Sequence, residues 1–280
     1  MSVSASIGSY RVGGGQKPLL IAGPCVIESP DLALSLAEAI AKLPSLGEFQ
    51  FVFKASYLKD NRSAGDSYRG PGLYEGLRVL ENIRARVGVP VLSDIHTASE
   101  VPAAAAVLDV VQIPAFLCRQ TSLLEAAGAC GKPVNVKKGQ FMAPEDMVNV
   151  VKKLHAAGAD NVLLTERGTS FGYHDLVVDF RGFARMRAAG APVIFDVTHS
   201  LQRPGGLGNK SGGEPTLAAM MARAAAAVPV DGFFIETHPD PSRALSDAAS
   251  MLPLDQLENL LREVAHIARV TRELVDKRSL

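Results

Sequence analysis

The chain predicts an α/β fold, specifically a (β/α)8 TIM barrel with a short N-terminal hairpin. Two observations carry this reading. Short apolar, β-type runs alternate with segments of helical periodicity eight times along the 280 residues, and the apolar runs end on residues able to carry chemistry. Eight is the number of strand–helix units that closes such a barrel. A doubly wound dinucleotide-binding sheet is disfavoured, because no Gly-x-Gly-x-x-Gly follows the first strand. No linker interrupts the alternation, so residues 1–280 read as one catalytic domain.

Arg11 to Gln16, with three glycines, is expected to form a hairpin plugging the barrel bottom. Leu19 to Ala22 is the first strand, and Asp31 to Leu43 its helix, with Ser29 or Asp31 near the start. Phe51 to Ala55 and Leu73 to Val87 form the second unit, with a loop rich in cationic residues between them. Pro90 to Ser93 precedes the Ala-rich helix Ser99 to Val107, and Val110 to Ile113 precedes Arg119 to Ala129. Val134 to Val136 is followed by Pro144 to Ala157, where Pro144 suits the first helical turn. Asn161 to Thr165 leads to a helix between Val177 and Ala189, and Val193 to Phe195 to Thr216 to Ala227. Gly232 to Ile235 and the long helix Leu254 to Val275 complete the set.

Hydrophobic residues make up 47% and charged residues 21%, enough for a sizeable core and against disorder. With 29 basic and 29 acidic residues the net charge is zero, so nothing suggests a general nucleic-acid surface and any basic site must be local. Three cysteines without framework spacing, Cys25, Cys118 and Cys130, fit a reducing compartment better than a disulfide scaffold. The N-terminal stretch lacks the pattern of a signal peptide, and no apolar run approaches the roughly 18–20 residues that cross a bilayer. A soluble, cytoplasmic protein without membrane contact is expected.

Cys25, Lys54, Asp94, Gln112, Lys137, Arg167, His199 and Glu236 each lie at or just past one of the eight strands. In a barrel these ends converge on one mouth, where active sites are built. Lys54, Lys59, Arg62, Lys137 and Arg167 form a basic subset suited to phosphorylated ligands, since clustered cations repel one another unless an anion intervenes. The competing reading pairs them with Asp60, Asp66 and Glu166. Cys25, His199, Glu236 and Asp247 form a second subset whose thiolate, imidazole and carboxylates suit a borderline divalent cation of the Zn, Fe or Mn class. The competing reading makes Cys25 a small buried residue and Asp247 an acid near a helix start. Asp94 and His96 are candidates for proton transfer. His238, two residues past Glu236, is a candidate for orienting that carboxylate's neighbourhood. His155, His174 and His266, and the two remaining cysteines, carry no chemistry, Cys118 and Cys130 being expected as buried thiols.

Several stretches, taken together and in order, resemble the 3-deoxy-D-manno-octulosonate 8-phosphate synthase family over nearly the whole chain. They are Ala22-Gly23-Pro24-Cys25 with Glu28-Ser29, Lys59 with Asn61-Arg62-Ser63, Ser67-Tyr68-Arg69-Gly70-Pro71-Gly72, and Gln112-Ile113-Pro114-Ala115-Phe116-Leu117 with Arg119-Gln120-Thr121. Asn135-Val136-Lys137-Lys138, Arg167-Gly168 with Phe171-Gly172-Tyr173, Phe195-Asp196-Val197-Thr198-His199 and Glu236-Thr237-His238-Pro239 complete them. The resemblance implies a TIM barrel, commonly a homotetramer, that condenses phosphoenolpyruvate with D-arabinose 5-phosphate. It implies that Lys137 and Arg167 hold the phosphoenolpyruvate phosphate with Gln112 and Ala115 nearby, that Lys54 and Lys59 face its carboxylate, and that Asn61, Arg62 and Ser63 bind the pentose phosphate. Arg119 would reach that phosphate from a neighbouring subunit.

Cys25 marks the metal-dependent branch, and His199, Glu236 and Asp247 match its other ligands. His199 would also touch phosphoenolpyruvate. Lys59, Asp94 and His199 are the candidate catalytic groups. Asp60 and Ala64-Gly65-Asp66 depart from the usual pattern. The related heptulosonate synthases, which use erythrose 4-phosphate, typically carry Pro-Arg-Thr where Asn61-Arg62-Ser63 stands, so the pentose phosphate is the expected partner.

Overall fold

Alternation within the strands decides where both core and site lie. In the computed structural model, which describes residues 3–276 except 62–64, 66, 206–211 and 229, eight parallel strands close into a barrel. They are β3 (Leu19–Gly23), β4 (Gln50–Lys54), β5 (Val91–Asp94), β6 (Val110–Ile113), β7 (Val134–Lys137), β8 (Val162–Glu166), β11 (Val193–Asp196) and β14 (Gly232–His238). Pairing of β14 with both β11 and β3 completes the ring. The eight-stranded barrel expected from the sequence is therefore the fold.

Successive strand residues point to opposite faces. Leu20, Phe51, Phe53, Val111, Val136 and Leu164 point outward and pack beneath the helices. Leu19, Ile21, Val52, Leu92, Val110, Leu163, Ile194 and Phe234 point inward as a separate apolar cluster. Moving two residues toward the C-terminal end of an inward position changes the chemistry. Val52 leads to Lys54, Leu92 to Asp94, Val110 to Gln112, Leu163 to Thr165, Ile194 to Asp196 and Phe234 to Glu236, all six buried. The barrel interior is thus apolar in its lower half and polar in its upper half.

The bottom is sealed by β1 (Ser4–Ile7) and β2 (Tyr10–Gly13), an antiparallel hairpin. Ala5, Ile7 and Val12 join the inward apolar cluster. The plug is tied at its rim, where the Ser6 amide donates to Asn161 Oδ1 at 2.7 Å and the Arg11 amide to Gln50 Oε1 at 2.8 Å. The expected hairpin over residues 11–16 exists, but it begins earlier, because its alternating apolar residues lie before the glycines.

The outer helices are α1 (Pro30–Ala41), α2 (Leu73–Val87), α3 (Val101–Val107), α4 (Thr121–Gly128), α5 (Met147–Ala156), α6 (Arg181–Arg187), α7 (Ala218–Ala226) and α8 (Leu254–Asp276). Ser29 caps α1 by accepting from the Leu32 amide at 3.2 Å, with Pro30 in the first turn. Several helices are shorter than their periodicity suggests, because single 3₁₀ turns take their first residues. Pro144–Asp146 precedes α5 and Pro215–Leu217 precedes α7. Ahead of α6 the chain instead forms a small hairpin, β9 (Thr169–Ser170) with β10 (Leu176–Val177). A second hairpin pairs β12 (Gln202–Arg203) with β13 (Gly212–Gly213). Asp247 does not sit near a helix start. It lies in the loop after β14, ahead of β15 (Leu252–Pro253), which pairs with the end of β14.

Candidate active site

The C-terminal ends of the strands open into a cavity of about 670 Å³. Lys54, Lys59, Asn61, Asp94, Gln112, Ala115, Lys137, Arg167, His199, Glu236 and Asp247 all line it. Arg119 does not; it is exposed outside the cavity, after the turn Ala115–Leu117. Arg62 and Ser63 lie outside the described residues.

One wall gathers potential metal donors. Cys25 Sγ, Glu236 and Asp247 each offer a donor atom within 4.8 Å of the others. The Cys25 thiol approaches Asp247 Oδ2 at 3.2 Å and Ser246 Oγ at 3.1 Å. His199 Nε2 lies 3.4 Å from Glu236 Oε2 and 3.7 Å from Asp247 Oδ2. Its Nδ1 lies 2.8 Å from Asp196 Oδ2, so the ring donates there and a neutral imidazole turns the lone pair of Nε2 toward the carboxylates. Glu236 Oε2 is buried and makes no hydrogen bond among the described residues. A buried carboxylate oxygen left bare is costly unless a cation meets it. The donor set fits a divalent cation of the Zn, Fe or Mn class. Burial and the charges of Asp247 and Glu236 push the Cys25 thiol pKa well up, so its proton is held firmly unless a cation displaces it.

The cations are individually placed. Lys54 Nζ donates to Glu236 Oε1 at 2.5 Å and to the Cys25 carbonyl at 2.8 Å. This neutralises one side of the carboxylate while the other faces His199. A Cβ on Gly23 would lie 2.1 Å from the Lys54 carbonyl, so β3 and β4 approach this closely only with glycine there. Lys137 Nζ meets Asp196 Oδ2 at 2.5 Å and rests 3.5 Å above the centre of the Phe234 ring. Burial dominates at Lys137 and lowers its pKa. At Lys59 burial opposes the charge, but Cys25, Asp247, Glu236 and Asp94 outweigh it and hold the ammonium firmly protonated.

Arg167 donates from Nη2 to Gln202 Oε1 at 2.6 Å, while its buried Nη1 has no hydrogen-bond partner among the described residues. Of the acids that could have neutralised the basic set, Asp60 pairs with Arg69 and Glu166 lies 3.4 Å from Lys138. Asp66 lies outside the described residues. Lys138 is a buried structural cation that also donates to Thr169 Oγ1 at 3.0 Å.

A hydrogen-bonded belt crosses neighbouring strands. Ser56 donates to Asp94, Gln112 Nε2 to Asp94 Oδ1 at 2.5 Å, Asn135 Nδ2 to Gln112 Oε1 at 2.8 Å, and Thr165 Oγ1 to Asn135 Oδ1 at 2.7 Å. Register explains it, since Asp94 stands opposite Gln112 and Gln112 opposite Asn135. Burial works against the Asp94 charge, but Lys54 and Lys59 hold its pKa far below the usual range. Such a carboxylate is a weak proton acceptor and a strong anchor. His96 also lines the cavity, with its buried Nδ1 lacking a hydrogen bond.

Reading strand ends alone passed over Asp196, Asn135, Thr165 and Gln202 as site residues. For Asp196 and Thr165 the available signal was a polar residue two positions beyond an inward apolar one, and for Asn135 it was its place two residues before Lys137, between two outward valines. Gln202 had none, since it enters from a hairpin. Cys118 is buried as expected, whereas Cys130 is only half-buried. His155, His174 and His266 are exposed.

Taken together, these features define a TIM barrel whose mouth is a cavity lined by buried cationic side chains beside a cluster of metal-type donors. The chain belongs to the DAHP synthetase I family, whose model matches residues 2–273. It is 52% identical to the 2-dehydro-3-deoxyphosphooctonate aldolase of Syntrophotalea carbinolica over 272 residues, 97% of this chain and 98% of that one. The proteins of the same name from Desulfatibacillum aliphaticivorans and Trichlorobacter lovleyi are each 52% identical, over 96% and 97% of this chain and 99% and 100% of theirs. Among the described residues no helix is long and apolar enough to cross a membrane.

Proposed function

We propose that this protein condenses phosphoenolpyruvate with D-arabinose 5-phosphate and water, releasing 3-deoxy-D-manno-octulosonate 8-phosphate and inorganic phosphate, a cytoplasmic step toward lipopolysaccharide precursors. The observation that carries the reading is one cavity lined by Lys59, by Arg167, whose buried Nη1 has no hydrogen-bond partner among the described residues, and by Glu236 and Asp247, with the buried Cys25 thiol behind those two carboxylates completing the donor cluster. Kinship with the named aldolases over almost the full length of both chains supports it.

In this reading Arg167 and Lys137 hold the phosphate of phosphoenolpyruvate at the cavity floor, with Gln112 and Ala115 beside it. Lys59 and Lys54 face its carboxylate. Asn61, with Arg62 and Ser63, takes the sugar phosphate, and Arg119 reaches that phosphate from a neighbouring subunit of a homotetramer. The C3 methylene of phosphoenolpyruvate forms a bond to the sugar aldehyde carbon, whose oxygen takes up a proton. Water adds to C2 and gives up a proton, and cleavage of the C2–O bond expels phosphate. Lys137 and Arg167 carry the charge that accumulates on that phosphate. Asp94 holds Gln112 and Ser56 in place. Cys25, His199, Glu236 and Asp247 hold a divalent cation, which when bound supplies Lewis acidity toward the water or the aldehyde.

The test is phosphate release from phosphoenolpyruvate with each aldose phosphate, before and after chelation. Release with arabinose 5-phosphate, lost on chelation and restored by Mn²⁺, is expected. Release that survives thorough chelation would remove the metal from the proposal. Release only with erythrose 4-phosphate would replace the sugar.

A further inference from the structure

We propose that Glu28 and His238, neither placed among the metal donors, are positioning residues that clamp the loop after β14 so that Asp247 reaches the cluster. This rests on reading Cys25, His199, Glu236 and Asp247 as a metal site.

Among the described residues, two contacts outside the donor cluster tie the loop down. The Asp240 amide donates to His238 Nδ1 at 3.0 Å, and the Leu245 amide donates to Glu28 Oε1 at 2.9 Å. Glu28 belongs to the segment leaving β3, three residues beyond Cys25. Leu245 stands two residues before Asp247. One carboxylate oxygen therefore ties the segment that presents the thiol to the segment that presents the acid. His238 closes the clamp. Because Nδ1 accepts a backbone N–H, the proton of a neutral ring sits on Nε2. That atom is buried without a hydrogen bond and lies 3.7 Å from the same Glu28 oxygen.

Asp247 needs such a clamp. Its φ of +49° lies in the left-handed region that side-chain-bearing residues seldom occupy, and such a conformation persists only where its surroundings enforce it. Loss of the Glu28 contact at Leu245 loosens the backbone two residues ahead of Asp247 and shifts its carboxylate relative to Cys25 Sγ and His199 Nε2. Glu28 is not among the residues lining the cavity, so it acts there only through the donors it positions.

The experiment measures Mn²⁺ affinity and the Co²⁺ absorption spectrum of the full chain. Glu28→Ala is expected to bind Mn²⁺ roughly 10–100-fold more weakly, the loss typical of a partner that orients a ligand. Its Co²⁺ spectrum should move toward that of Asp247→Ala. Glu28→Gln, which keeps an acceptor for the Leu245 amide, should return most of the affinity. His238→Asn keeps an acceptor for Asp240 but removes the N–H facing Glu28, and should fall between the two. Combined with Asp247→Ala, the Glu28 change should add nothing. If Glu28→Ala does not fold, Glu28→Asp, which withdraws the oxygen by one methylene, replaces it with the same expectation. Tight Mn²⁺ binding by the parent, with unchanged affinity and spectrum in the Glu28 variant, would overturn the clamp alone. A folded, active parent that takes up neither ion would overturn the metal reading and the clamp with it.

Discussion

Single side chains at the barrel mouth show how hydrogen bonding outweighs burial. Glu100 accepts from the Tyr57 hydroxyl at 2.6 Å and the His96 amide at 2.9 Å. Burial raises its pKa, but the His96 side chain, with Nδ1 3.5 Å from Glu100 Oε2, together with the Tyr57 hydroxyl and the His96 amide, prevails and brings it from the ordinary 4.5 down to about 2. A carboxyl depressed in the folded state stabilises fully above its unfolded value and loses that contribution as pH falls through the folded one. Stability should therefore decline between about pH 4.5 and pH 2, and Glu100→Gln should flatten that decline while lowering stability at neutral pH. Urea unfolding at stepped pH checks it, and equal slopes in both proteins would refute it.

Among the elements, the N-terminal hairpin is the clearest case of structure acting at a distance from chemistry. Ile7 is buried in the inward cluster at the end opposite the cavity. Ile7→Ala should cost roughly 2–5 kcal/mol, the range for large-to-small changes in cores, read from denaturant midpoints. The folded fraction should keep its turnover per molecule, and a raised KM at unchanged stability would contradict this placement.

The strands were the most legible elements, because each is a short apolar run with a polar terminus. Their inward register was equally available in principle, as Ile194 and Asp196 show. Three things were hidden. The 3₁₀ turns at Pro144 and Pro215 share the periodicity of the helices they precede. Arg119 fits a helical pattern locally, yet it falls in the turn before α4. Asp247 takes its position from a left-handed backbone and contacts with distant Cys25 and His199, which no local pattern encodes.

At the scale of the whole molecule, the upper interior trades stability for function. Lys54 and Glu236 are a fully buried ion pair, and such pairs seldom repay their desolvation against well-packed apolar residues of similar volume. The double change Lys54→Met with Glu236→Leu should leave the protein inactive with a Tm at or above the parent's. Lys54→Met alone, which strands the carboxylate, should lower it. Calorimetry separates the cases, and a double variant less stable than the single one would refute the account. The sealed bottom has a further consequence. A barrel plugged at one end is a blind alley with a single door. In the proposed reading, phosphoenolpyruvate seated against Arg167 and Lys137 would have to arrive before the sugar phosphate nearer the rim and could not depart while that outer position is filled. Order of entry and exit would then be imposed by traffic, and anything lingering at the rim would bar the deeper seat without touching it.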